Sequence, residues 1–233
     1  MKIHVLLALT GLITASLCAA EPKESVKSAA DALVNKGSYS WKTSVQSAAG
    51  QNNRQPGPTE GKTEKEGYTH VKMTRGDTNF EVVMKGEKFA VKGQEGWQNA
   101  ADMEGGDNRG RFMSRMWQNY KTPAIEAKDL VEKTKEIKMA DGVYSGELSE
   151  EGVKTYLTMG RRNNPDAPAP KNAKGSAKFW IKDGVLSKYE YHVKGSMEVN
   201  GETREIDRTT TVEISEAGNS KVTVPEEAKK KLS

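Results

Sequence analysis

Short alternating segments joined by two-residue turns constrain this chain more than any other feature. Asn79 to Lys85 puts Phe80, Val82 and Met84 on one side. Gly86-Glu87 reverses direction, and Phe89 and Val91 alternate through Lys88 to Lys92. Ala177 to Lys182 turns at Asp183-Gly184 into Val185 to Gly195, where Val185, Tyr189, Tyr191 and Val193 share one parity. Met197 and Val199 continue that parity to Asn200-Gly201, and Glu202 to Ser215 returns as a long strand. Turns this tight join antiparallel neighbours. Only 35% of the chain is apolar, so the core is lean. A lean core suits one curved antiparallel sheet with a wet face better than a parallel sheet buried on both sides.

Other strands read the same way. Tyr39 to Gln46 alternates Tyr39, Trp41, Thr43 and Val45 against polar residues, and Tyr68 to Thr74 leads to a turn at Arg75-Gly76-Asp77. Gln94-Glu95-Gly96 turns into Trp97. Lys135 to Met139 and Val143 to Leu148 form a hairpin around Asp141-Gly142, and Gly218-Asn219 turns into a strand at Lys221 to Val224. Ala48 to Gly61 and Arg161 to Asn172, rich in Gly, Asn and Pro, are predicted loops, the second poorly ordered.

Helical spacing is confined to a few places. Val26, Ala29, Ala30, Leu33 and Val34 share one face of a helix over Pro22 to Val34, with Gly37 at its C-terminal cap. Phe112, Met113, Met116, Trp117 and Tyr120 make a broad apolar stripe over Arg109 to Tyr120. A weaker helix follows over Ile125 to Thr134, with Leu130 and Val131 inward. Ser149 caps a short helix carrying Val153, Tyr156 and Leu157. Pro225-Glu226-Glu227 opens a last one that ends in Lys229, Lys230 and Lys231.

The first 20 residues stand apart. Lys2, an apolar stretch from His4 to Leu17, and the small residues Cys18-Ala19-Ala20 make a secretory signal peptide, predicted to be cleaved near Ala20. Its apolar run is short for a membrane span of ~20 residues. The expected layout is a leader over 1–20 and a single domain over 21–233, working in the periplasm or outside the cell. Cys18, the only cysteine, would be the lipidated residue of a lipoprotein leader, but Leu17 stands where that signal wants a small residue. Cleavage after Ala20 removes the thiol, and with it disulfides and cysteine-based zinc sites. Past the leader 35 Lys and Arg face 32 Asp and Glu, a mixed surface with no nucleic-acid stripe.

No constellation of catalytic residues stands out. There is no Gly-x-Ser-x-Gly elbow, phosphate-cradling loop or dinucleotide fingerprint. His70 and His192 sit at the polar parity of their strands, and acids are dispersed among lysines. The expectation is a protein with no enzymatic activity, metal or cofactor. The Phe112–Tyr120 stripe either packs on the sheet or covers an apolar cavity as a movable plug, its two methionines adapting to different contents.

The order of parts resembles the lipoprotein-carrier superfamily of LolA-like and LppX/LprG-like secreted proteins. The resemblance rests on the helix leading into Tyr39-Ser40-Trp41, the meander through Gly86-Glu87-Lys88-Phe89 and Gly96-Trp97, and the mid-chain helices. It rests also on the long final strands and the terminus Val222-Thr223-Val224-Pro225-Glu226-Glu227-Ala228. It implies an α+β fold: a strongly curved antiparallel β-sheet, or half-barrel, with helices covering the concave side. It also implies binding of an acyl chain, lipid or lipoprotein anchor without covalent chemistry, and a membrane-associated donor or acceptor protein. Cavity positions would then be Trp41, Val71, Met73, Phe80, Val82, Met84, Phe89 and Trp97 on the sheet, with Phe112 and Met116 from the cover. Family carriers of lipoproteins place an arginine inside the barrel near the start of the sheet. Arg75 is nearest in order but sits on a turn, so that role is not carried over. The alternative is a structural or protein-interaction module whose half-barrel is filled by its own side chains.

Overall fold

A computed structural model of the chain describes residues 21–48, 57–75, 78–93, 96–105, 108–158, 169–199 and 202–233. The leader and the tip of the first loop, residues 49–56, lie outside the described residues, as do the turn at 76–77 and most of the 161–172 segment.

Among the described residues eleven strands form one open antiparallel sheet. In chain order they are β1 (Tyr39–Ser47), β2 (Thr59–Thr63), β3 (Tyr68–Arg75), β4 (Thr78–Lys85), β5 (Lys88–Gly93), β6 (Gly96–Asn99), β7 (Lys138–Ala140), β8 (Val143–Glu147), β9 (Lys171–Lys182), β10 (Val185–Val199) and β11 (Glu202–Ser215). Their order across the sheet is β6-β5-β4-β3-β2-β1-β11-β10-β9-β8-β7. Two meanders are therefore joined at the centre, where β1 pairs with β11 from Ser40↔Ser215 to Ser47↔Arg208. Asp141-Gly142 and Asp183-Gly184 have positive φ at both positions, as two-residue turns matched to strand twist require.

The described residues also form six helices: α1 (Pro22–Lys36), α2 (Ala100–Glu104), α3 (Asn108–Gln118), α4 (Pro123–Glu132), α5 (Glu150–Leu157) and α6 (Glu226–Leu232). α1 ends where Gly37 takes a left-handed φ of 66° and donates its N–H to the Val34 carbonyl. The Ser149 hydroxyl accepts from the Gly152 N–H at the start of α5.

Phe89 and Val91 at one wing of the sheet and Phe179 and Tyr189 at the other feed one continuous buried cluster beneath α1 to α5. The sheet is thus curved over its own helical cover, the expected α+β half-barrel. A second, smaller cluster lies on the opposite face, where Ala228 and Leu232 of α6 cover Val83, Ala90 and Trp97.

Several local expectations are corrected. Thr59 to Gly61, read as loop, belongs to β2, and Gly61 pairs with Trp41. A Cβ at Gly61 would lie 2.1 Å from the Trp41 ring, so the strand carries glycine there to seat the indole. Lys171 and Asn172, assigned to the linker, begin β9. Lys221 to Val224 is not a strand; its Val222 N–H is taken by the Glu64 carboxylate. In β10 the register slips between Leu186 and Lys188. That slip puts Leu186 and Tyr189 on the same inner face and leaves Val185 only partly buried.

Candidate functional site

The concave face holds two different environments. Under α1, α4 and α5 the interior is solid, with Val26, Leu33, Leu130, Val131, Phe179 and Tyr189 fully buried. Polar atoms there find partners from the sheet and α4. The Tyr189 hydroxyl donates to Glu126 at 2.6 Å, and the Tyr156 hydroxyl donates to Asp129 at 3.1 Å. Burial, reinforced by the Glu126 charge, pushes the Tyr156, Tyr189 and Tyr191 hydroxyls well above their ordinary pKa, so all three stay neutral donors. Asp129 is pushed up by its own burial, but Lys133, Lys121 and the Tyr156 hydroxyl outweigh this and hold it below the usual range. Arg208 stands in the row of Val193 on this face and donates to the Tyr156 carbonyl.

Under α2 and α3 the interior opens. A cleft of about 1050 Å³ runs between the ends of β3 to β5 and these two helices. Met73, Phe80, Val91, Met103 and Met113 supply its apolar lining, and Gln98 adds an amide. Glu60, Lys72, Glu81 and Lys92 border it too, but register places them in the row opposite to Gly61, Val71, Val82 and Val91. Three methionines in one lining give a surface that re-forms around different shapes. α3 forms one wall, and within it the Trp117 indole N–H is buried with no acceptor among the described residues. Such an orphaned donor costs about 1–3 kcal/mol, which the apolar contacts of α3 must offset.

The sequence-derived positions separate into four groups. Met73 and Phe80 line the cleft. Trp41, Val71, Val82, Met84 and Phe89 are buried in the main core beside it, and Met116 packs partly buried against that core. Phe112 is 48% exposed on the outer side of α3. Trp97 lies across the sheet under α6. The reason is register: Gly93 pairs with Gly96, so Trp97 falls opposite Lys92, and Gln98 rather than Trp97 shares the row of Val91. Counting the two-residue turn at 94–95 would have shown this.

Sequence reasoning missed Val91, Met103 and Met113 as lining residues. Met103 sits on α2, a helix not foreseen although its signal is present. Asn99 caps it by accepting from the Asp102 N–H, while the Asp102 carboxylate accepts from the Asn99 N–H.

His70 bonds Glu81 at 2.8 Å, with Lys92 also on that carboxylate at 3.6 Å, and His192 bonds Asp207 at 2.8 Å. Among the described residues no three His, Cys, Asp or Glu side chains gather as a metal site, and no helix is long and apolar enough to cross a membrane. The side chain of Arg75 lies outside the described residues.

No protein-family model and no curated protein matches the chain. Eleven solved chains do. Lipoprotein LppX of Mycobacterium tuberculosis is 13% identical, with 88% of this chain and 98% of that one aligned at a TM-score of 0.47. LprF of Mycobacterium bovis is 9% identical, covering 89% and 97% at a TM-score of 0.45. A LolA-superfamily protein of Nitrosomonas europaea is 10% identical, covering 88% and 96% at a TM-score of 0.34.

Proposed function

We propose that this protein binds the acyl chain of a lipid or lipoprotein anchor outside the cytoplasm, without covalent chemistry. The cleft under α2 and α3 carries the reading: its volume of about 1050 Å³ is that of a ligand site, and its apolar wall of Met73, Phe80, Val91, Met103 and Met113 is bordered by polar and charged side chains. Affinity would come from taking chain methylenes out of water at ~0.8 kcal/mol each, so an eight-carbon stretch contributes roughly 6 kcal/mol before ordering costs. α3 is read as the movable cover, and the Trp117 indole N–H buried within it has no acceptor among the described residues to anchor it. The export signal read in residues 1–20 sets the compartment, and a membrane-associated donor or acceptor would supply or receive the lipid.

A second reading has its own support. The interior under α1, α4 and α5 is filled by the protein's own side chains, which suits a module that holds its shape for a partner protein.

Native mass spectrometry of the purified protein, with titration of a fluorescent fatty acid, separates the two. A carrier retains lipid, takes up the probe, and loses uptake about tenfold or more when Met113→Trp fills the cleft. Protein that is repeatedly empty and indifferent to fatty acids and lipopeptides belongs to the filled module.

A further inference from the structure

α3 has an outer face that neither the cleft nor the core uses. Arg111 and Arg115 lie one turn apart on it, both exposed, with the ring of Phe112 48% exposed between them. Like charges at this spacing repel. The helix also has no acid in its first turn, where its dipole would favour one. From Asn108 to Lys121 the sequence contains no Asp or Glu at all.

Several cations of the other helices are paired, Lys27 with Glu132, Lys128 with Asp31 and Lys231 with Asp102. Neither Arg111 nor Arg115 has an ion pair among the described residues. Lys121, at the end of the same segment, is paired to Asp129. Arg111, near the start of α3, therefore stands where the helix dipole disfavours a cation, while Arg115 stands in the last turn, where the dipole favours one; neither charge is neutralised by an acid among the described residues. A large aromatic side chain between two unpaired guanidinium groups matches a surface that is anionic outside and apolar beneath, which is the headgroup region of an anionic bilayer.

We infer that the outer face of α3 docks on anionic membrane, with Arg111 and Arg115 on lipid phosphates and Phe112 inserted at the acyl boundary. The same helix presents Met113 to the cleft, so docking would bring the cleft wall against the lipid source. In that respect the inference rests on the acyl-binding reading. Docking itself does not require it.

The test is flotation of the purified protein with vesicles of phosphatidylcholine alone or of phosphatidylcholine with phosphatidylglycerol. Binding is expected only to the anionic vesicles, and to weaken as salt rises. The double variant Arg111→Gln with Arg115→Gln should lower it on the order of thirtyfold, from two lost basic contacts, and Phe112→Ser should lower it as well. Because these side chains are exposed, circular dichroism and uptake of a soluble fatty-acid probe should match the parent protein. Equal binding to both vesicle types, no binding to either, or variants that bind like the parent would overturn the inference and leave the face to an acidic protein partner. Loss of probe uptake in the parent protein would instead count against the acyl-binding reading.

Discussion

Gly61 is where a single atom decides the packing. The Trp41 indole occupies the space a side chain would take, so a Cβ at this position would overlap the ring. Gly61→Ala should therefore destabilise the protein by about 1–3 kcal/mol through overpacking, read as a lower urea midpoint with an unchanged slope. His70 makes a residue-scale prediction about pH. Burial pushes its imidazole below the ordinary 6.5 even though the Glu81 carboxylate pulls the other way. The unfolded chain then binds the proton more readily than the folded one, so stability is full above the unfolded value. It falls as pH drops through that value toward the lower folded one. Thermal melts stepped from about pH 8 to pH 5 should show that loss, and His70→Gln should remove this component of it. The sequence placed His70 at the polar parity of its strand correctly. It gave no sign of the Glu81 partner, because that pairing depends on register between β3 and β4 and on which rotamers the neighbours leave free.

At the level of elements, legibility followed periodicity. α1, α4, α5, β4, β5 and β11 lie close to where spacing put them, since their residue periodicity is regular from end to end. The failures were of three physical kinds. β2 was hidden because its central position needs glycine, which reads as loop. The inner row of β10 was misread because a bulge shifts parity inside one strand. Trp97 was put on the wrong side of the sheet because aromatic character was weighed above turn length. That last correction gives α6 a role: it covers Trp97, Val83 and Ala90, and Lys231 ties it to Asp102 at 2.7 Å. Leu232→Ala should cost about 2–5 kcal/mol as a buried leucine truncation. The lost hydrogen-exchange protection should concentrate in β5 and β6, with fatty-acid uptake on the concave side unaffected.

Across the whole molecule, one sheet serves two purposes. The wing from β8 to β11 is sealed against α1, α4 and α5 with tyrosines and acids fixed by hydrogen bonds. The wing from β3 to β5 meets α2 and α3 less closely and leaves the cleft. Only the first half of that picture was available from pattern, because a hollow is a property of how elements miss each other and no periodicity encodes it. Two chemistries meet at α3, apolar inward and basic outward, and variants of the two faces should separate uptake from membrane attachment. The open ends of the sheet have a consequence of another sort. Its terminal strands, β6 with four residues and β7 with three, are the shortest in it. An exposed ladder of that length offers an incoming strand little to add to. The open sheet thus keeps its borders too brief to favour fibril seeding or pairing with a second copy.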